Sequence, residues 1–425
     1  MPALPPAQPP SHPPAPARLP TPGPARLPAQ LPTRLPARLP SLTGLRFWAA
    51  LLVVLYHLSR QVGTVPLVSP VAWYGRSGVT FFFVLSGFVL AWTYADSPVP
   101  ALVFYRRRLA RIWPLHTLAT GLSLAVYAAI GAAVPVAAAL WSLLLVHPWI
   151  QAMTMGGNPA GWSLGDEGWF YLLFPLLLPL LTRCRLRLRA VLLLCAALGP
   201  ALWLGGSAVA DPALRSWLLD YLPLTRTPQF LLGAAAGLAL RRGLLPRVPL
   251  VPAVLAAAGW HLVLVPWSRS VPDALWYGPY SASQLLSAPL FGALVVAAAQ
   301  ADLDGGSLLG HKVLTRLGDW SFAWYLVHEI GVRCWLHRFG HPAPGPATAG
   351  VWLLLAGGTL AAAGALYRWV ERPCERRLRG GGGGSGGSGP GSVGGSGTTE
   401  LPRARRTGAR QPAPDQSSVE LSRLT

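Results

Sequence analysis

The sequence predicts an all-α protein: a polytopic transmembrane helical bundle of about ten helices, with both termini cytoplasmic. Two observations predict the bundle and a third predicts its orientation. Of the 425 residues, 52% are hydrophobic and 12% charged, whereas soluble domains carry about 25% charged residues. Near-continuous apolar stretches recur, among them 45–58, 79–92, 115–145 and 352–366, and about 20 such residues cross the hydrocarbon core as a helix. Arginines fall in short clusters between these stretches, at 106–111, 183–189, 241–242 and 372–379.

In chain order, residues 1–40 come first, repeating Ala-Arg-Leu-Pro at 17–20, 25–28 and 37–40. Proline at this density blocks helix and sheet, so the arm is expected to be disordered. It lacks the apolar stretch of a signal peptide. Residues 41–379 form the membrane domain, with helices expected at 43–62, 78–95, 114–134, 162–181, 190–206, 218–240, 249–266, 280–300, 316–337 and 348–370. The short apolar stretch 136–146, before His147-Pro148, is too short to span and is expected to be interfacial or re-entrant. Residues 380–425, rich in Gly and Ser and then polar, form a second disordered, linker-like tail.

With the amino terminus inside, the clusters after the second, fourth, sixth and tenth helices face the cytoplasm, and the loops 63–77 and 267–279 face outward. The net charge of +20, from 35 basic against 15 acidic residues, then reflects topology and an anionic lipid surface, with the cell membrane as the expected location. No nucleic-acid partner is expected, because the arginines form no stripe on a soluble domain. Four cysteines, Cys184, Cys195, Cys334 and Cys374, lack the short paired spacing of zinc or redox motifs, so no metal site is expected.

Ionisable groups inside a bilayer are costly and usually line a polar cavity or pair with one another. Arg46 stands near the cytoplasmic end of the first helix, and His57 lies about 16 Å deeper along it. Arg46 fits a snorkelling anchor as well as a functional group. His57 fits a packed, hydrogen-bonded residue, and its ordinary pKa near 6.5 also suits proton transfer with an attacking hydroxyl. Glu167, one or two turns below the outer interface on the fourth helix, stands at a depth similar to that of His57 and could orient it, although Asp166 and Glu167 also read as solvated residues at the water boundary. In the basic stretch 104–114, read as a turn with Pro114 opening the third helix, Arg108 and Arg111 have a spacing that puts both on one helical face. Arginine forks bind phosphate bidentately, so a nucleotide-bearing acyl donor fits there. The ninth helix carries His328, a cavity-lining candidate among packing or belt aromatics such as Trp324 and Tyr325.

Together these segments resemble the acyltransferase 3 family of integral membrane proteins, over about 42–377. The resemblance rests on Leu42-Thr-Gly-Leu-Arg46 with His57; Gly78-Val-Thr-Phe-Phe-Phe-Val-Leu-Ser-Gly-Phe88; Arg108 with Arg111 and Pro114; Trp162-Ser163-Leu with Glu167 and Phe170-Tyr171; Tyr325-Leu-Val-His328; and Glu371-Arg-Pro373, in that order. It implies an O-acyltransferase moving an acyl group, often acetyl, from cytoplasmic acyl-coenzyme A, a co-substrate and not a bound cofactor, to a hydroxyl of a sugar, polysaccharide or natural product such as a macrolide. By the same resemblance His57 is the catalytic histidine, Arg46 its motif partner, and Arg108 and Arg111 are associated with donor handling. The topology places Arg46 on the donor side as well, Glu167 at the depth of His57 is the catalytic partner, and Ser163, Tyr171 and His328 are candidates for the substrate cavity. Asp166 stands where relatives commonly have a neutral residue, and Gln229 where many have an acid. The pattern resembles the branch without a fused extracellular hydrolase-like domain. A multi-pass transporter or flippase would also use intramembrane arginine, histidine and carboxylate, as gates or proton carriers.

Overall fold

The computed structural model describes residues 35–378 apart from 37, 97–98, 134–135, 184–186, 272–276 and 344. Nearly all of the proline-rich arm, the tail from 380 and Cys184 lie outside the described residues. Every regular element among the described residues is helical.

The order is α1 (Pro40–His57), continued by a π-helical turn (Leu58–Val62); α2 (Ser69–Ala72); α3 (Gly78–Tyr94); α4 (Ala101–Ala129); α5 (Val136–Leu143); α6 (Trp162–Arg183); α7 (Arg187–Gly206); α8 (Pro212–Ser216) and a second π turn (Trp217–Tyr221); α9 (Pro223–Arg241); α10 (Leu250–Ser270); α11 (Tyr277–Leu285); α12 (Ala288–Leu303); α13 (Lys312–Phe339); α14 (Pro346–Leu366) with a third π turn (Tyr367–Glu371); and α15 (Arg372–Leu378). Among the described residues, seven stretches are long and apolar enough to cross a membrane: Pro40–Val62, Ser69–Tyr94, Pro159–Arg183, Arg187–Gly206, Leu250–Ser270, Gly278–Leu303 and Pro346–Leu378. The remaining long helices, α4, α9 and α13, carry charge within their length.

The bundle has a centre and a rim. The most apolar window is 78% buried in the stretches containing α3 and α12, but only 11% buried in α7. Leu193 and Leu194 on α7 are exposed, which suits a face whose solvent is lipid tails. At the centre, α1 and α13 run parallel: Thr43 meets Gly318, Phe47 stacks on Trp324 with centroids 5.8 Å apart, and His57 meets His328. Gly318 allows this approach, since a Cβ there would strike the Thr43 carbonyl oxygen, and Gly44 lets α1 close on the 3-10 turn just before α13, at the Leu309 carbonyl oxygen.

The structure departs from the expected elements at one place that bears on the site. The basic stretch 104–114 is not a turn. It forms the opening of the 29-residue α4, with Pro114 inside the helix, so Arg108 and Arg111 are held on a rigid rod. The stretch 136–146, expected to be too short to span, holds the short α5 and is followed by 3-10 turns between 147 and 161; Ser142, His147 and Asn158 of this segment are fully buried. The Asn158 amide donates to the Leu326 carbonyl oxygen at 2.8 Å, which anchors this segment against the middle of α13.

Candidate active site

Two polar groupings face the interior at different levels of the α1–α13 pair. The first surrounds His57, the last residue of α1. Its imidazole meets that of His328 edge-on, with centroids 5.0 Å apart at 63°. The His57 side chain is 21% exposed, whereas His328 is 1% exposed. The Gln61 amide nitrogen, on the π turn, lies 2.9 Å from His57 Nδ1 and donates to Glu329 Oε1 at 3.0 Å. Glu329 also pairs with Arg333 one turn along, at 3.1 Å, and Arg333 reaches Ser123 Oγ on α4 at 3.3 Å. The carboxylate beside His57 is therefore Glu329, with 3.9 Å between Oε1 and Nδ1.

Glu167 is not brought to His57. Expecting matched depths assumed that α6 starts at the membrane surface. Instead α6 starts beside the middle of α13, where Ser163 Oγ and Tyr325 OH hydrogen-bond at 2.8 Å. Glu167 is one turn further along, about 6 Å, and accepts a hydrogen bond from Tyr171 OH at 3.2 Å. It stands within electrostatic reach of Arg111, Arg46 and Arg108. Asp166 turns to the other side of α6, fully buried, with Arg226 as its first charged neighbour.

That arginine grouping is the second level. Arg46 on α1 lies within reach of Arg111, Glu371, Asp319 and Glu167. Arg111 pairs with Glu375 of α15 at 3.3 Å. The Arg108 guanidinium lies about 6 Å from the rings of Tyr94, Phe104 and Tyr171, at cation–π range. Glu371, 2% exposed, has neither carboxylate oxygen hydrogen-bonded among the described residues. Between the two levels run Tyr171, Ser163, Tyr325 and His328, with Tyr325 and His328 ring centroids 6.1 Å apart. Ser163, Tyr171 and His328 thus all fall along one polar track.

Sequence reading missed Gln61, Glu329 and Arg333 as neighbours of His57. The one local signal was the four-residue spacing of His57 to Gln61 and of Glu329 to Arg333, which puts each pair on one helical face. It also missed a buried cluster behind Asp166: Arg76 and Asp220 at 3.1 Å, with Arg226 bonded to the Asp220 carbonyl oxygen and to Gln284. Arg76 stacks on Tyr280 at 3.9 Å. Two clefts of about 480 Å³ and 420 Å³, the first lined by Ile330, Cys334 and Trp369 and the second by Trp73, Tyr74 and Tyr280, include neither His57 nor the three arginines.

A family model described as an acyltransferase domain, Acyl_transf_3, matches residues 39–368. The structure thus has the architecture of a multi-pass membrane protein and the chain the signature of an acyltransferase. Acyltransferase MdmB of Streptomyces mycarofaciens is 33% identical over 375 residues, which cover 80% of this chain and 92% of that protein. No solved structure matches. The chain belongs to the acyltransferase 3 family and is an acyltransferase, which displaces the transporter or flippase reading of the same buried charges.

Proposed function

We propose that this enzyme is an O-acyltransferase that carries an acyl group, by preference acetyl, from cytoplasmic acyl-coenzyme A to a hydroxyl of a sugar, polysaccharide or natural product such as a macrolide. The observation that carries the proposal is the polar track from the arginine grouping to the histidine pair, through the most buried part of the bundle. Arg46, Arg108 and Arg111 hold donor phosphates, with Arg111 exchanging Glu375 for phosphate. Guanidinium forks match phosphate oxygens in pairs. The donor's acyl arm extends along Tyr171, Ser163 and Tyr325. Glu167 holds Tyr171 and balances the arginines, a donor-side role in place of orienting His57. The reaction itself takes place at His57 and His328.

In the membrane, α4, α9 and α13 join the seven apolar stretches to give ten crossings and two cytoplasmic termini. They are 29, 19 and 28 residues long. Charged side chains such as Arg226 and Glu329 on them are buried within the bundle, as intramembrane charges must be. The cell membrane is the proposed location.

Purified protein in lipid nanodiscs, supplied with acetyl-coenzyme A and a panel of sugar, polysaccharide and macrolide alcohols, is expected to add a single acyl mass to one class and release coenzyme A in equal amount. Coenzyme A release that never leaves an acyl group on a hydroxyl would contradict the reading.

A further inference from the structure

The two imidazoles at the reaction centre are held in different tautomers, and the surrounding donors and acceptors determine which. His328 Nδ1 lies 3.2 Å from the Trp324 carbonyl oxygen. A carbonyl oxygen only accepts, so Nδ1 carries the hydrogen and the neutral ring has its lone pair at Nε2. That Nε2 is buried and has no hydrogen-bond partner among the described residues. It is a nitrogen with a free lone pair, on a ring in contact with that of His57.

His57 is held the opposite way. Glu329 is paired with Arg333 and is therefore a carboxylate that only accepts. Gln61 must turn its NH2 group to Glu329 Oε1, and the second hydrogen of that same nitrogen goes to His57 Nδ1. Turning the amide over would set its oxygen against the carboxylate. Nδ1 of His57 is thus the acceptor, and Nε2 carries the hydrogen. No hydrogen bond to a described residue engages that Nε2, on a side chain that is 21% exposed.

Resting on the O-acyltransferase reading above, we propose that His328 is the general base and that His57 stays neutral, its Nε2–H polarising the thioester carbonyl. In the step, His328 Nε2 takes the proton of the acceptor hydroxyl as the oxygen bonds to the carbonyl carbon. The carbonyl electron pair moves onto its oxygen, which accepts a hydrogen bond from His57 Nε2–H. Collapse breaks the C–S bond, and the departing thiolate takes the proton from His328 Nε2. One proton passes from hydroxyl to thiol, and both rings return to the neutral forms found in the structure. A neutral imidazole serving as an electrophile beside a separate base is established chemistry. Gln61 is then a positioning residue that fixes the His57 tautomer.

The test uses amides that imitate one ring nitrogen each, in the full chain in nanodiscs. His57→Gln keeps a donor near the Nε2 position and is expected to cost at most about tenfold in kcat, against about 10²–10³ for His57→Ala. His328→Asn keeps a donor to the Trp324 carbonyl oxygen but has no base, and is expected to lose about 10²–10⁴-fold. An acceptor of the same shape with a more acidic, fluorinated hydroxyl should restore much of the His328→Asn rate and little of the His57→Ala rate. Should His328→Asn misfold, His328→Gln carries the same comparison. If the acidic acceptor rescues the His57 variants and not those of His328, the assignment is overturned and His57 is the base. If the wild-type enzyme transfers acyl groups from acetyl-coenzyme A to no hydroxyl, the O-acyltransferase reading itself is overturned.

Discussion

The two ends of the polar track are built in opposite ways. At the arginine end, Arg111 is tied to a carboxylate on the short α15, and neither Glu371 oxygen is hydrogen-bonded among the described residues. At the histidine end, Gln61, Glu329 and Arg333 are locked to one another across α1, its π turn and α13. The first arrangement can exchange partners, as a phosphate-binding site must each turnover. The second fixes hydrogen positions, as proton transfer requires. A substitution at the arginine end should therefore act on donor affinity, and one at the histidine end on the rate of the bound complex.

Glu329→Ala should have the largest effect. It leaves Arg333 without its buried partner, at about 3–5 kcal/mol in stability, and frees Gln61 from its acceptor, with a fall in kcat of about 10². Thermal unfolding in detergent and steady-state kinetics would check both parts, and a kcat within about twofold of wild type would break the contrast. Arg111→Ala removes a charged hydrogen-bond donor worth about 1.5–3 kcal/mol and should raise the donor KM about tenfold or more, with kcat nearly unchanged. Glu375→Gln frees Arg111 from a partly exposed ion pair worth about 1 kcal/mol or less, so the donor KM should fall, about twofold to fivefold. Leu193→Ala, on the lipid-facing rim, should stay within about 0.5 kcal/mol of wild type in stability and leave both kinetic constants unchanged.

The helices were legible because length and continuous apolarity act locally, and all ten expected stretches hold helix. What lies across from what was not legible, because it depends on contacts between distant segments. Arg108 and Arg111 looked like a loop cluster because arginine-rich stretches usually flank spans, yet they open a long helix that carries Pro114 inside it. Glu167 looked level with His57 because the partly buried segment 144–161, which brings the start of α6 to the middle of α13, has no simple periodicity. Glu329 was visible beside His328, but its approach to His57 depends on the parallel packing that Gly44 and Gly318 allow. Gln61 lay inside the expected first helix, four residues after His57, but the amide's bond across to Glu329 depends on α13 and leaves no mark in composition.

In the proposed reaction a single donor spans the track, with its phosphates at one end and its acyl carbon at the other. A structure of the enzyme with a non-transferable thioether analogue of acetyl-coenzyme A tests it most directly. Phosphate density is expected at Arg46, Arg108 and Arg111, with loss of the Arg111 to Glu375 pair and the acyl group between His57 and His328. Phosphates bound away from all three arginines, or an acyl group that stops at Tyr171, would contradict it.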